Sequence, residues 1–230
     1  MTMTLRDRLA GVANAVGYAI YRARFGGLSL YSVLVAASGG ALVYATFLLW
    51  RDGTSAAAVA IAVASAVLVF ILVWASRQSY VVFRPAPMDS GGAAALAPEA
   101  KLHVRATGFF EVSDMRRYLV EVPTVLWTTE LGEHVLAARV SARRVLGIGV
   151  PSVERGWWYV FVEPNRVAAI EPGRLTFGFA VRPALRVTLE TDQGRRLLFL
   201  SHGDPAVIQV LLGELCRLTG LPPGGKWTPV

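Results

Sequence analysis

Two uncharged stretches dominate the hydropathy pattern, Leu28 to Trp50 and Thr54 to Ser76, each 23 residues long. At a rise of roughly 1.5 Å per residue each reaches ~35 Å, enough to cross a hydrocarbon core of ~30 Å with some tilt. Only Arg51-Asp52-Gly53 separates them. The spacing therefore predicts a two-helix transmembrane hairpin over 28–76, with antiparallel neighbours that satisfy their own backbone hydrogen bonds. Upstream, Leu5, Leu9, Val12, Val16 and Ile20 fall on one helical face. Thr4-Leu5-Arg6-Asp7 reads as a capping-box variant, and Gly26-Gly27 supplies a break. Residues 1–27 are thus expected to form an amphipathic interfacial helix whose arginines meet anionic lipid, with packing on a protein partner as the competing arrangement.

Beyond the hairpin the period shortens. Within the juxtamembrane segment 77–100, residues 85–100 are rich in Pro, Ala and Gly and have the composition of a linker. Strand signals then cover Val104 to Val112, Tyr118 to Thr129, His134 to Val140, Trp157 to Val162, Arg166 to Ile170, Ala184 to Glu190 and Arg195 to Leu200. Glu163-Pro164-Asn165, Glu171-Pro172-Gly173 and Thr191-Asp192-Gln193-Gly194 read as the intervening turns. In the strand around Leu185, apolar Leu185, Val187 and Leu189 alternate with Arg186, Thr188 and Glu190, the pattern of a half-buried antiparallel strand. A closing helix over 204–219 follows. Asp204 can cap it, Pro205 suits its first turn, and Gly220 can end it. Its apolar face is Ile208, Leu211, Leu212, Leu215 and Leu218.

The expected fold class is thus an N-terminal transmembrane α-helical hairpin plus a mainly-β domain over 101–230. That domain has about seven antiparallel strands in a small barrel or sandwich and a C-terminal amphipathic helix. Residues 101–219, with the final hairpin Leu185–Leu189 and Leu197–Leu200 leading into that helix, resemble the pleckstrin-homology-like (PH-like) superfold in architecture. The layout is similar to that of bacterial membrane proteins carrying a helical hairpin and a cytoplasmic PH-like domain. The resemblance implies a binding or assembly module and carries no functional residue across.

Charge sets the orientation. Arg6, Arg8, Arg22 and Arg24 precede the first span and Arg77 and Arg84 follow the second, so the positive-inside rule places both termini and the β domain in the cytoplasm. Tyr31, Trp50, Trp74 and Tyr80 fall near the span ends, where amphipathic rings favour the interface. Only two of the 23 basic residues are lysines, an Arg and Ala bias that points to a high-GC bacterial genome and carries no functional weight. The expected location is a bacterial inner (plasma) membrane. The chain carries a net charge of +7. That excess is divided between the two parts of the chain, with no basic stripe interleaved with aromatics, which argues against nucleic-acid binding. One cysteine, Cys216, rules out an intramolecular disulfide framework and multi-cysteine metal sites within one chain, and its place beside Leu215 suits a buried thiol.

Candidate chemistry is sparse. His103, His134 and His202 lie far apart with no metal-ligand spacing, and Gly147-Ile148-Gly149 lacks the rest of a nucleotide fingerprint. No catalytic, cofactor or metal-binding constellation is expected. The remaining candidates are contact surfaces. Arg139, Arg143, Arg144 and Arg155 are candidates for anionic lipid or a partner protein. Trp157, Trp158 and Tyr159 are consecutive, so a strand must turn Trp157 and Tyr159 one way and Trp158 the other, leaving one set available for contact. Gly39, Gly40, Ala58, Ala62 and Ala66 are small residues suited to helix packing, within the hairpin or against a partner helix. Together these predict a non-catalytic accessory, scaffold or assembly subunit of a membrane complex. Membrane lipids, partner membrane proteins or further copies of the chain are its expected contacts, and a lipid- or ligand-sensing module is the alternative.

Overall fold

A computed structural model describes residues 4–25, 28–53, 55–76, 80–88, 96–113, 115–129, 134–140, 155–192 and 194–222. The chain divides into two compact units: one holds the β domain with the start of helix α1 up to Asn14, the other the rest of α1 and the two apolar helices.

In the helical unit, α1 (Leu5–Arg22) is followed by a two-residue antiparallel pair, β1 (Arg24–Phe25) and β2 (Leu28–Ser29), then by α2 (Leu30–Asp52) and α3 (Ala56–Ser76). Ser29 caps α2 by accepting a hydrogen bond from the Ser32 amide at 2.9 Å, and Ser55 accepts one from Ala58 at 3.1 Å. Leu30–Arg51 and Ala56–Val73 are long and apolar enough to cross a membrane. Their buried positions recur every seven residues, Ser38 and Ala45 on α2 and Ala58, Ser65 and Leu72 on α3, a narrow seam. Of the small residues singled out from the sequence, Ala58 lies in the seam and Ala62 is half-buried beside it, whereas Ala66 and Gly40 are exposed. Among the described residues, and apart from the helix's own backbone and chain neighbours, no atom lies within 4 Å of the space a Cβ would occupy at Gly39 or Gly40.

Among the described residues the β domain is an antiparallel sheet of eight strands, one more than the sequence pattern indicates: β3 (Val82–Pro85), β4 (Lys101–Val112), β5 (Met115–Thr128), β6 (His134–Val140), β7 (Gly156–Val162), β8 (Val167–Phe177), β9 (Ala180–Thr191) and β10 (Gly194–Ser201). The order is β3-β8-β9-β10-β4-β5-β6-β7. A register shift between Ala106 and Gly108 bends β4, so that one side of it pairs with β10 before the bend and touches β7 after it, at Glu111–Tyr159. The sheet thereby curls around a core that includes Phe110, Leu126, Leu136, Trp158, Ile170, Leu185 and Leu200.

Two expectations from the sequence are overturned in this unit. Glu171-Pro172-Gly173 is not a turn but the middle of β8. The Pro172 carbonyl accepts a hydrogen bond from the Ala86 amide at 3.0 Å, and a Cβ on Gly173 would collide with the Arg84 carbonyl. The Pro-Gly pair thus marks the close approach of the short edge strand β3. Tyr80 does not offer an exposed ring to an interface; it is buried in the β unit, 6.0 Å from the ring of Tyr118.

Helix α4 (Pro205–Thr219) closes the core. The Asp204 carboxylate accepts from the Ala206 amide at 2.9 Å, Pro205 occupies the first turn, and Gly220 ends the helix in the left-handed conformation. Ile208, Leu211, Leu212 and Leu215 are completely buried.

Candidate functional site: the outer face of strands β4 to β7

Alternation along these strands gives the sheet two unlike faces. The inner face carries Val104, Leu126, Leu136, Ala138, Trp158 and Val162, all buried. The outer face is assembled by register. Lys101 pairs with Trp127, Trp127 with Val135, and Val135 with Phe161, forming one row across four strands. His103, Val125, Ala137 and Tyr159 form the next, and beyond it Arg105 stands beside Pro123 and Arg139 beside Trp157. Basic groups therefore line the β4 side and three aromatic rings the β7 side, while the middle strands carry Trp127 and Arg139 at the two ends of an aliphatic strip.

The consecutive Trp157-Trp158-Tyr159 run splits between the faces. Trp158 is 1% exposed, whereas Trp157, Phe161 and Trp127 are 47%, 63% and 45% exposed. Tyr159 and Phe161 stack with centroids 6.4 Å apart, and the Lys101 ammonium lies 5.2 Å from the centre of the Trp127 ring, within cation–π range. Two adjoining concavities of about 420 and 370 Å³ lie on this face and share Val125, Ala137 and Trp157. Arg139 lines the second, and Arg155 stands exposed just ahead of β7. Among the described residues no acidic side chain lines either. Arg143 and Arg144 lie outside the described residues.

A larger concavity, about 600 Å³, opens between β4, β7, β9 and β10. Four of its charged groups pair with one another, Arg116 with Glu111 at 3.3 Å and Arg166 with Glu163 at 2.8 Å, and Glu190, Asp192 and Arg196 also line it.

One polar cluster escaped the sequence pattern. His134 Nε2 lies 3.0 Å from Glu214 Oε1, with both side chains inaccessible to solvent. Glu214 also accepts from the Leu96 amide at 3.2 Å and from Arg217 at 2.5 Å. Burial pushes the Glu214 carboxyl up, but the Arg217 contact, the Leu96 amide and His134 together outweigh it and hold the group below its ordinary value. A sealed His–Glu pair with its carboxylate already saturated fastens α4 to β6 and to the segment at Leu96, and has no opening toward a substrate. The one hint in sequence is Glu214 at the flank of the apolar stripe, with Arg217 three residues on. Cys216 on the same helix is half-buried, and burial raises its thiol pKa. Among the described residues no group of three His, Cys, Asp or Glu side chains could hold a metal ion.

Fold and face together define the class: an antiparallel β domain with an exposed aromatic and basic surface, on a chain whose N-terminal region carries two apolar helices. Comparison with protein-family models, with curated proteins and with solved structures finds no match to this chain.

Proposed function

We propose that this chain is a membrane-anchored docking subunit. The α2–α3 hairpin crosses the bacterial inner membrane, both termini lie in the cytoplasm, and a PH-like β domain presents the outer face of β4 to β7 to a partner protein. The observation that carries the reading is the exposure of Trp127, Trp157 and Phe161 on a sheet whose other face is already filled. Large aromatics in a contiguous patch mark protein interfaces, where they anchor binding. The basic column of Lys101, His103 and Arg105, with Arg139 opposite, suits a partner surface of apolar groups rimmed by carboxylates.

The membrane part rests on the outward faces of the hairpin. Val43, Phe47, Val63, Val67, Phe70 and Ile71 are exposed, and a patch of that size is unfavourable in water but ordinary in lipid. The PH-like reading is supported by the chain order: four strands β4 to β7, three strands β8 to β10, then one amphipathic helix against the core.

Co-purification in mild detergent tests the function. Wild-type chain is expected to elute with a partner protein, and the double variant Trp157→Ala/Phe161→Ala to elute alone with its fold intact. A wild type that purifies as a lone monomer, or a double variant that keeps its partner, contradicts the proposal.

A further inference from the structure

Helix α1 is amphipathic, yet it is its polar side that packs. Asp7 and Gly11 are its buried residues, and both face the β domain. The Asp7 carboxylate accepts hydrogen bonds from Thr4 Oγ1 at 2.9 Å and from Arg84 on β3 at 2.7 Å. One turn on, the Gly11 carbonyl accepts from the Gly178 amide at 3.0 Å. A Cβ on Gly11 would stand 2.6 Å from the Gly178 oxygen and 2.7 Å from Thr176 Cγ2, so only glycine lets the helix lie this close to the β8–β9 hairpin. The opposite side carries the stripe predicted from the sequence: Leu5, Leu9 and Val16 are 73%, 63% and 55% exposed, and Val12 and Ile20 are half-buried. At about 100° per residue, Arg6 and Arg8 fall roughly 80° to either side of that stripe. Both are exposed. Arginines flanking an apolar stripe in this way can reach phosphates while the leucines enter the acyl boundary. The chain also leads from here straight to the first apolar helix, whose Leu30 amide hydrogen-bonds the Ala23 carbonyl at 2.8 Å, just past the end of α1.

We propose that α1 is a two-faced adaptor, its Asp7–Gly11 side clamping β3 and the β8–β9 hairpin and its Leu5–Leu9–Val16 side lying in the headgroup region of an anionic bilayer. The clamp then makes the membrane surface, and not the span alone, hold the β domain. This rests on the membrane reading of α2 and α3, which one arm of the test checks separately.

The test uses the full chain carrying Cys216→Ser, reconstituted in nanodiscs of phosphatidylglycerol and phosphatidylcholine, with nitroxides introduced singly through Leu9→Cys, Val63→Cys and Arg195→Cys. Val63 lies on the outward side of α3 and Arg195 on an exposed part of β10. The adaptor predicts that the labels at 9 and 63 collide with oxygen and lose collision with a water-soluble nickel chelate, while the label at 195 keeps it. A label at 63 in lipid with that at 9 in water overturns the adaptor and leaves the hairpin standing; both in water overturns the membrane reading as well. A label at 9 shielded from both reagents means that protein covers the stripe, which also overturns the adaptor. For the clamp, the distance distribution between labels at 9 and 195 is expected to be narrow and to broaden in Gly11→Leu and in Arg84→Ala. The label at 9 should stay in lipid, and the near-ultraviolet dichroism of buried Trp158 should not change. A distribution that stays narrow in both variants contradicts the clamp.

Discussion

Helices α1 and α4 begin with the same kind of signal and end in opposite arrangements. Each has a well-formed N-terminal cap, Thr4 with Asp7 in one and Asp204 with Pro205 in the other, followed by apolar residues at helical spacing. In α4 the apolar stripe is the packed face, with Ile208, Leu211, Leu212 and Leu215 fully buried. In α1 the packed face is the polar one, and Leu5, Leu9 and Val16 of the stripe are left exposed. Amphipathicity therefore states that a helix has two faces but not which of them its own domain will cover. In α4 the stripe completes a core that would otherwise open to water. In α1 an ion pair whose carboxylate alone is buried and a glycine contact perform the docking, which leaves Leu5, Leu9 and Val16 exposed.

Changes in the two helices should separate accordingly. Leu212→Ala should lower stability by about 3 kcal/mol through the cavity it leaves, whereas Leu9→Ala should change it by less than about 0.5 kcal/mol. Urea unfolding of the full chain, followed through the buried Trp158, measures both, and equal losses would erase the contrast.

Glu214→Gln should cost about 2 kcal/mol, since a buried carboxylate loses its charge-assisted partners. The pH dependence has a definite sign. The folded Glu214 pKa lies below its ordinary value, so its contribution is complete above the unfolded-state pKa and fades as pH falls through the lowered folded value. The gap between wild type and Glu214→Gln is expected to close on acidification, and a gap that widens would reverse the assignment.

Gly11→Ala, which forces a Cβ against Gly178, should weaken the α1 clamp by about 1–2 kcal/mol. Faster amide exchange at Gly178, confined to that region, is the expected readout. Asp7 behaves like Glu214 in direction. Arg84 and Thr4 hold its carboxyl below the usual range, so the clamp should persist through mildly acidic pH and release only as pH falls below that range. Asp7→Asn should remove this dependence. As small as that of Leu9→Ala is the stability effect of Trp157→Ala, expected to lie within about 0.5 kcal/mol because the side chain is 47% exposed on the outer face.

Much of the local structure was legible in sequence because its causes are local. The α4 boundaries follow from Asp204, Pro205 and Gly220, and the strand around Leu185 from its alternation. The alternation rule also separates Trp158 from Trp157 and Tyr159, although which side is the core needs the fold. What escaped depends on residues far apart in the chain. Strand β3 is four residues long and falls in the juxtamembrane segment, outside the strands the pattern marks, and Arg84 on it meets Asp7 across 77 positions. The Pro172-Gly173 pair reads as a turn because its reason, an edge strand pressed against the glycine, lies elsewhere in sequence. The rows that bring Lys101, Trp127, Val135 and Phe161 together exist only through register, which no single strand reveals.

The most direct test of the docking role is photocrosslinking in native membranes, with a photoreactive amino acid at Trp157, at Phe161 or, as a control, at exposed Arg195. The account predicts crosslinks to one and the same protein from positions 157 and 161 and none from 195. Crosslinks to lipid alone, or equal labelling at all three positions, would contradict it.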